Sequence, residues 1–151
     1  RADHALSCRG PSELRPVLAD LAPMPDTAMT LAACACFAPG TSILQGLGTL
    51  RVKETDRIEA LRNELTKLGV SVENPVQGDP DAMTITPPDT GLDTSPNAPR
   101  VEFDTYDDHR MAMSLALVGL RVPGVVIRDP DCTHKTYPDF FRDLESLCGQ
   151  A

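Results

Sequence analysis

The run Lys53-Glu54-Thr55-Asp56-Arg57 sets two cations around a carboxyl at the entry of an amphipathic helix. Such a pair of bases attracts a phosphate or a carboxylate, and a carboxyl held beside a bound anion is suited to proton transfer. A helix that begins near Thr55 would add unpaired N–H groups and a positive dipole end at the same place. The plainer reading is a solvated helix entry in which Asp56 serves as the cap.

Three further polar clusters stand at or just before predicted helix starts: Pro25-Asp26-Thr27, Tyr106-Asp107-Asp108-His109-Arg110, and Thr133-His134-Lys135-Thr136 ahead of Pro138. Four such clusters in one short domain predict a shared face where helix N-termini converge on an anion. Arg57 and Arg110 can each hold a carboxylate or phosphate through two parallel N–H bonds, while Lys53 and Lys135 add compact point charges. Glu54, Asp26 and His109 are the groups able to donate or accept a proton once their surroundings tune them. Each cluster also has a bland account. Asp26, Asp107 and Asp108 are good helix caps, His109 can be a partly buried structural histidine with Arg110 as the salt-bridge partner of the aspartates, and Lys135 is unremarkable on its own. His4 and His134 carry no functional signal. With no nucleophile motif, Gly-rich phosphate loop or metal-ligand spacing, the residues favour general acid–base chemistry on a multiply charged anion.

The elements that must position these groups alternate along the chain. Asp26 to Ala38 reads as a buried helix of small residues, and Thr41 to Leu44 as a strand after the Pro39-Gly40 turn. Ile58, Leu61, Leu65 and Leu68 give a helix from about Thr55 to Leu68, with Gly69 placed for a C-terminal cap. Strands are predicted at Val70–Val72, Met83–Thr86, Val101–Phe103 and Val125–Ile127, and the stretch from Pro87 to Pro99 as a surface loop. Helices are expected from about Asp108 to Leu120 and from near Pro138 to just before Gly149. The result is an α+β domain with helices packed on sheets. The order strand, helix, strand, strand at Thr41–Thr86 is expected again from Val101, as a faint repeat of elements.

Composition narrows the classes. The 151 residues suffice for one domain with a core, and 41% apolar with 24% charged is a globular balance. A net charge of −8 argues against a nucleic-acid partner but leaves room for a locally basic site. The longest apolar run, Leu31 to Ala38, is far too short for a membrane span. Five cysteines (Cys8, Cys34, Cys36, Cys132, Cys148) form an odd set without metal-type pairs, consistent with reduced thiols in the cytoplasm. Arg1-Ala2-Asp3-His4 lacks a starting methionine and a signal-peptide core, so the natural beginning is expected to be missing.

Four ordered motifs resemble the 5-enolpyruvylshikimate-3-phosphate (EPSP) synthase family. They are Arg51-Val52-Lys53-Glu54-Thr55-Asp56-Arg57, Tyr106-Asp107-Asp108-His109-Arg110-Met111-Ala112-Met113, Pro25-Asp26-Thr27-Ala28-Met29-Thr30, and Asp129-Pro130-Asp131-Cys132-Thr133-His134-Lys135-Thr136-Tyr137-Pro138. The resemblance runs along nearly the whole chain. It implies transfer of the enolpyruvyl group of phosphoenolpyruvate to the 5-hydroxyl of shikimate 3-phosphate, by addition and elimination, with release of phosphate and without a metal or organic cofactor.

Carried over by motif, Asp26 is the base for the attacking hydroxyl and Glu54 the acid for the methylene carbon, with Lys53 assisting and His109 supporting. The resemblance assigns Arg57, Arg110 and Lys135 to phosphoenolpyruvate, the ligand that glyphosate displaces in this family, and Lys53 and Asp26 to the shikimate moiety. Where the family often has an asparagine at this substrate, this chain has Thr49. The resemblance further implies repeated βαβαββ units, two domains with a cleft between them, and a chain 1–151 that forms only the C-terminal part of one domain and is inactive alone. A transferase acting on UDP-N-acetylglucosamine fits the motifs poorly. A non-catalytic anion-binding or assembly module is the rival from another class, set against the intact Asp26, Glu54 and His109.

Overall fold

A computed structural model describes residues 9–149, so His4, Cys8 and the Arg1-Ala2-Asp3-His4 opening lie outside the described residues. Strand β1 (Leu18–Asp20), helix α1 (Ala28–Ala35) and strand β2 (Ser42–Gln45) form a unit whose two strands run parallel. Helix α2 (Arg57–Thr66) follows, and then the antiparallel pair β3 (Ser71–Glu73) and β4 (Met83–Thr86). β4 slots in beside β2, which gives a mixed four-stranded sheet in the order β1-β2-β4-β3. Strands β5 (Val101–Phe103) and β6 (Val125–Ile127) pair in parallel as a second sheet across helix α3 (His109–Ala116), and helix α4 (Phe140–Cys148) closes the described chain.

The order β1-α1-β2-α2-β3-β4 is one βαβαββ unit, and β5-α3-β6-α4 begins a second. This corrects the phase of the repeat. From Val101 the order is strand, helix, strand, helix, not a repeat of Thr41–Thr86, because the unit starts one strand earlier at β1. Leu18-Ala19-Asp20 is short and mostly exposed; its order comes from pairing Leu18 to Ile43 and Asp20 to Gln45 on β2.

Alternation sets the faces of the strands. Ser42 and Leu44 point inward on β2, as do Met83 and Ile85 on β4. Helix α2 lays Ile58, Leu61 and Leu65 into the same core, which also takes Phe103, Met111 and Leu115 from the second unit. All four helices are shorter than the sequence pattern suggests, α1 and α3 the most. α1 stops at Ala35, where Phe37 N donates to Cys34 O (3.1 Å) and Ala38 N to Ala35 O (3.1 Å), and α3 tightens into a 3-10 turn over Leu117–Leu120. Gly69, just past α2, takes φ +79° as a helix-ending glycine should.

Local constraints aim the chain toward the polar clusters. Gly46 has φ +72°, and a Cβ there would meet Ala22 N at 2.6 Å, so the turn from β2 into the 3-10 helix Gly48–Val52 admits only glycine. Arg51 on that helix donates to Asp56 Oδ2 (3.2 Å) and Asn74 Oδ1 (3.0 Å), bracing the segment that carries Lys53 and Glu54. Among the described residues Cys34, Cys36, Cys132 and Cys148 are all free thiols. Burial pushes the Cys36 thiol up to about 12, which keeps it protonated and unreactive.

Candidate active site

Four segments that lie far apart in sequence meet at one charged cluster. Asp26 sits in the 3-10 turn Pro25–Thr27 before α1, and Lys53 leaves the Gly48–Val52 helix in an extended conformation. Arg57 is the first residue of α2, Asp108 caps α3, and Lys135 ends the 3-10 helix Pro130–Lys135.

Arg57 is the centre of the cluster, and its side chain is only 1% exposed. Its Nε donates to Asp108 Oδ2 at 2.7 Å, Nη1 to Asp26 Oδ1 at 2.9 Å, and Nη2 to both Glu54 Oε2 (2.8 Å) and Asp108 Oδ1 (3.2 Å). Asp108 is fully buried, so this fork-to-fork pair is shielded from water on both sides. Above it lie groups with exposed faces. Lys53 Nζ stands 3.6 Å from Asp26 Oδ1, Arg110 Nη2 3.3 Å from Asp26 Oδ2, and Lys135 Nζ 2.7 Å from Glu54 Oε1. His109 is buried with its Nδ1 3.9 Å from Glu54 Oε1, and that nitrogen is a buried side-chain polar atom with no hydrogen-bond partner.

Lys53, Arg57, Arg110 and Lys135 face Asp26, Glu54 and Asp108 here, four cations against three carboxylates. The site is therefore locally positive in a chain of net charge −8. Glu54 feels this directly. The hydrogen bond from Lys135 and one from the backbone hold its carboxyl at about 2, aided by the charges of Arg57 and Lys135 and opposed by burial.

The sequence-level expectations meet this geometry unevenly. Asp26, Lys53, Glu54, Arg57, His109, Arg110 and Lys135 all come together, whereas Thr49 is exposed on the Gly48–Val52 helix and, among the described residues, makes no side-chain hydrogen bond to the cluster. At α2 and α3 the helix N-termini are occupied by their own caps. Asp56 Oδ1 accepts from Ile58 N and Glu59 N, and Asp108 Oδ1 from Arg110 N and Met111 N, so the anion-attracting face is built from side chains. α2 also starts at Arg57, not near Thr55, because Asp56 is its cap.

Asp26 is not a cap; Thr27 precedes α1 without a side-chain cap bond, and the Asp26 carboxylate turns to three cations. Arg110 pairs with Asp26 and leaves Asp108 to Arg57. Arg57 differs from an open anion clamp: all its described N–H bonds end on carboxylates, so a ligand reaching it must displace one of them. Sequence reasoning gave Asp108 capping, which it does at α3, and a salt bridge with Arg110, where the structure has Arg57 instead. Its link to Arg57 spans 51 residues and leaves no local trace.

Comparisons with known proteins place the chain in a family. The family model described as EPSP synthase (3-phosphoshikimate 1-carboxyvinyltransferase) matches residues 1–144. A relative named 3-phosphoshikimate 1-carboxyvinyltransferase, from Photobacterium damsela subsp. piscicida, is 49% identical over 135 residues, covering 89% of this chain and 29% of that protein. One of the same name from Shewanella baltica (strain OS155 / ATCC BAA-1091) is 43% identical over 147 residues, covering 97% of this chain and 32% of that protein. Among solved structures, EPSP synthase from Acinetobacter baumannii superposes with a TM-score of 0.66 at 30% identity, over 81% of this chain and 27% of that one. The fold is thus an enolpyruvyl-transferase-type α+β unit. The chain belongs to the EPSP synthase family. It spans 29–32% of the length of these two curated relatives.

Proposed function

We propose that the protein containing this chain transfers the enolpyruvyl group of phosphoenolpyruvate to the 5-hydroxyl of shikimate 3-phosphate and releases phosphate. The single observation that carries the reading is one buried guanidinium holding Asp26 Oδ1 at 2.9 Å and Glu54 Oε2 at 2.8 Å. It fixes two partly exposed carboxylates on either side of a cationic pocket, which suits one to act as base and the other as acid.

In the addition step the 5-hydroxyl gives its proton to Asp26 while its oxygen bonds to C2 of phosphoenolpyruvate. Glu54 protonates the methylene carbon, which becomes a methyl group. In the elimination step Glu54 takes a proton back from that methyl, the C2–O bond to phosphate breaks, and phosphate leaves with the electron pair. Lys53 assists at the shikimate side, and His109 supports Glu54 from 3.9 Å. Arg110 and Lys135, both with exposed faces, meet the charges of phosphoenolpyruvate. Arg57 acts from beneath as a fixed counter-charge. Thr49 lines the shikimate side more weakly than the asparagine it replaces.

Glu54 held at about 2 is ionised in the ligand-free protein and cannot donate a proton there. An incoming phosphate that recruits Lys135 removes the main cause of that low value and adds a negative neighbour. Both effects raise the pKa, so the donor is armed by its own substrate. Residues 1–151 form the C-terminal part of one domain, and the opposing half of the site lies in the remainder of the relatives' length. No described helix is long and apolar enough to cross a membrane, and reduced thiols fit a cytoplasmic setting. A net charge of −8 does not suit a nucleic-acid backbone.

The test is phosphate release from the full-length protein supplied with both substrates. No release would sink the reading. In Glu54→Gln, turnover should vanish while ligand binding persists; an unchanged rate refutes the proton-transfer role.

A further inference from the structure

Outside the charged cluster, α2 carries a second buried polar residue, Glu64, seven positions after Arg57 and so on the same helix face. Its carboxylate is 1% exposed and accepts three hydrogen bonds: from Tyr106 Oη at 2.7 Å, from Asp104 N at 2.9 Å, and from Lys67 Nζ at 2.6 Å. Lys67 also donates to Glu102 O and Asp104 Oδ2, at 3.1 and 3.0 Å. Every bond reaches the stretch between β5 and α3 or a residue that grips it.

That stretch contains two consecutive non-glycine residues in the left-handed region, Tyr106 at φ +58° and Asp107 at φ +54°. Side chains disfavour this conformation, so it persists only where its surroundings over-determine it. Directly after it come Asp108, which holds Arg57, and His109, whose Nδ1 stands beside Glu54. Helix α2 therefore grips the turn from both ends, with Glu64 at Asp104 and Tyr106 and with Arg57 at Asp108.

We propose that Glu64 and Tyr106 are positioning residues for the acid–base site, acting through the strained Tyr106-Asp107 turn that aims Asp108 and His109. They touch no reacting group. The inference rests on the enolpyruvyl-transfer reading for its kinetic readout, though not for its structural one.

Tyr106→Phe removes only the hydroxyl that reaches Glu64. In the full-length protein it should lower kcat about tenfold, with little change in the KM for phosphoenolpyruvate, because sub-ångström misplacement is felt in the reacting geometry. The thermal midpoint should move by a few degrees at most. Glu64→Gln supplies the conservative rescue: its amide oxygen accepts from Asp104 N and its NH₂ donates to the tyrosine oxygen, so kcat should remain near wild type. Glu64→Leu, which offers no polar atom, should fall at least as far as Tyr106→Phe. A Tyr106→Phe enzyme with wild-type kcat overturns the proposal, as does a loss that merely tracks the unfolded fraction. If the wild-type protein releases no phosphate, the reaction reading fails and the His109 imidazole resonances decide instead. Altered ring chemical shifts in Tyr106→Phe support positioning, and unaltered ones overturn it.

Discussion

Lys135 Nζ donates to Glu54 Oε1 at 2.7 Å across 81 positions of sequence, tying the 3-10 helix after β6 to the chain that enters α2. The other oxygen of Glu54 accepts from Arg57. The two cations are not equivalent. Arg57 is buried and locked by Asp108 and Asp26, whereas Lys135 is largely exposed and has Glu54 as its one ion-pair partner among the described residues. Glu54 thus has one fixed counter-charge and one that can turn to a ligand.

Lys135→Met should raise the Glu54 pKa from about 2 toward the ordinary 4.5, stopping short because Arg57 and the backbone bond remain. A depressed carboxyl contributes stability that is present above its unfolded value and lost as pH falls through its folded value. The wild-type protein should accordingly lose stability between about 4.5 and 2, and Lys135→Met should lose less over that window. Titration of the Glu54 side-chain carboxyl by ¹³C NMR checks the first claim. An unmoved midpoint would remove Lys135 as the cause.

Arg57→Met leaves Asp108 buried with no cation and frees Asp26 and Glu54 from their common anchor. Breaking a buried pair from one side costs about 3–5 kcal/mol, and urea unfolding should show a loss of that order. Arg57→Lys should recover only part of it, since a point charge cannot reproduce the bidentate contact to Asp108. A loss well under about 1 kcal/mol would mean that the guanidinium does not organise the cluster.

Asp56→Ala separates capping from chemistry within the same motif. Asp56 accepts from Ile58 N, Glu59 N and Arg51, and none of its described bonds reaches Glu54 or Arg57 side-chain atoms. Loss of the cap should lower stability by about 1 kcal/mol and leave the rate of phosphate release unchanged, because Arg51 still braces the Lys53-Glu54 segment through Asn74 Oδ1. A fall in rate at full occupancy of the folded state would bring Asp56 into the site.

Much of this architecture is written locally. The apolar spacing of Ile58, Leu61 and Leu65 gives α2, and the alternation of Met83 and Ile85 gives β4. Asp26, Glu54 and His109 are also placed locally, each within a few residues of a helix start, whereas Lys135 ends a 3-10 helix. What the chain does not show locally is which charge meets which. Asp108 neighbours Arg110 in sequence yet binds Arg57, because the cap conformation turns its carboxylate toward α2. Glu64 interrupts an apolar face, and only the fold reveals the Tyr106 hydroxyl and Asp104 amide that satisfy it. Arg57 looked like an open anion clamp for the same reason: three carboxylates that bury it come from three different segments. β1 escaped because its order depends on β2.

Phosphoenolpyruvate itself should retune Glu54. The ligand's negative charges compete with the Glu54 carboxylate for Lys135, and once Lys135 turns away the main cause of the low value is gone. The same anion then sits beside the carboxyl and disfavours its ionised form. Both effects carry the same sign. In the full-length protein, the Glu54 titration midpoint should rise from about 2 when phosphoenolpyruvate is added, and inorganic phosphate should move it less. As a donor in the bound complex, Glu54 must be protonated, so kcat should decline as pH rises through the ligand-bound value, while Lys135→Met should bind phosphoenolpyruvate more weakly. A midpoint that stays near 2 with ligand bound would disqualify Glu54 as the donor near neutral pH and leave Lys53, 3.6 Å from Asp26, as the group to test next.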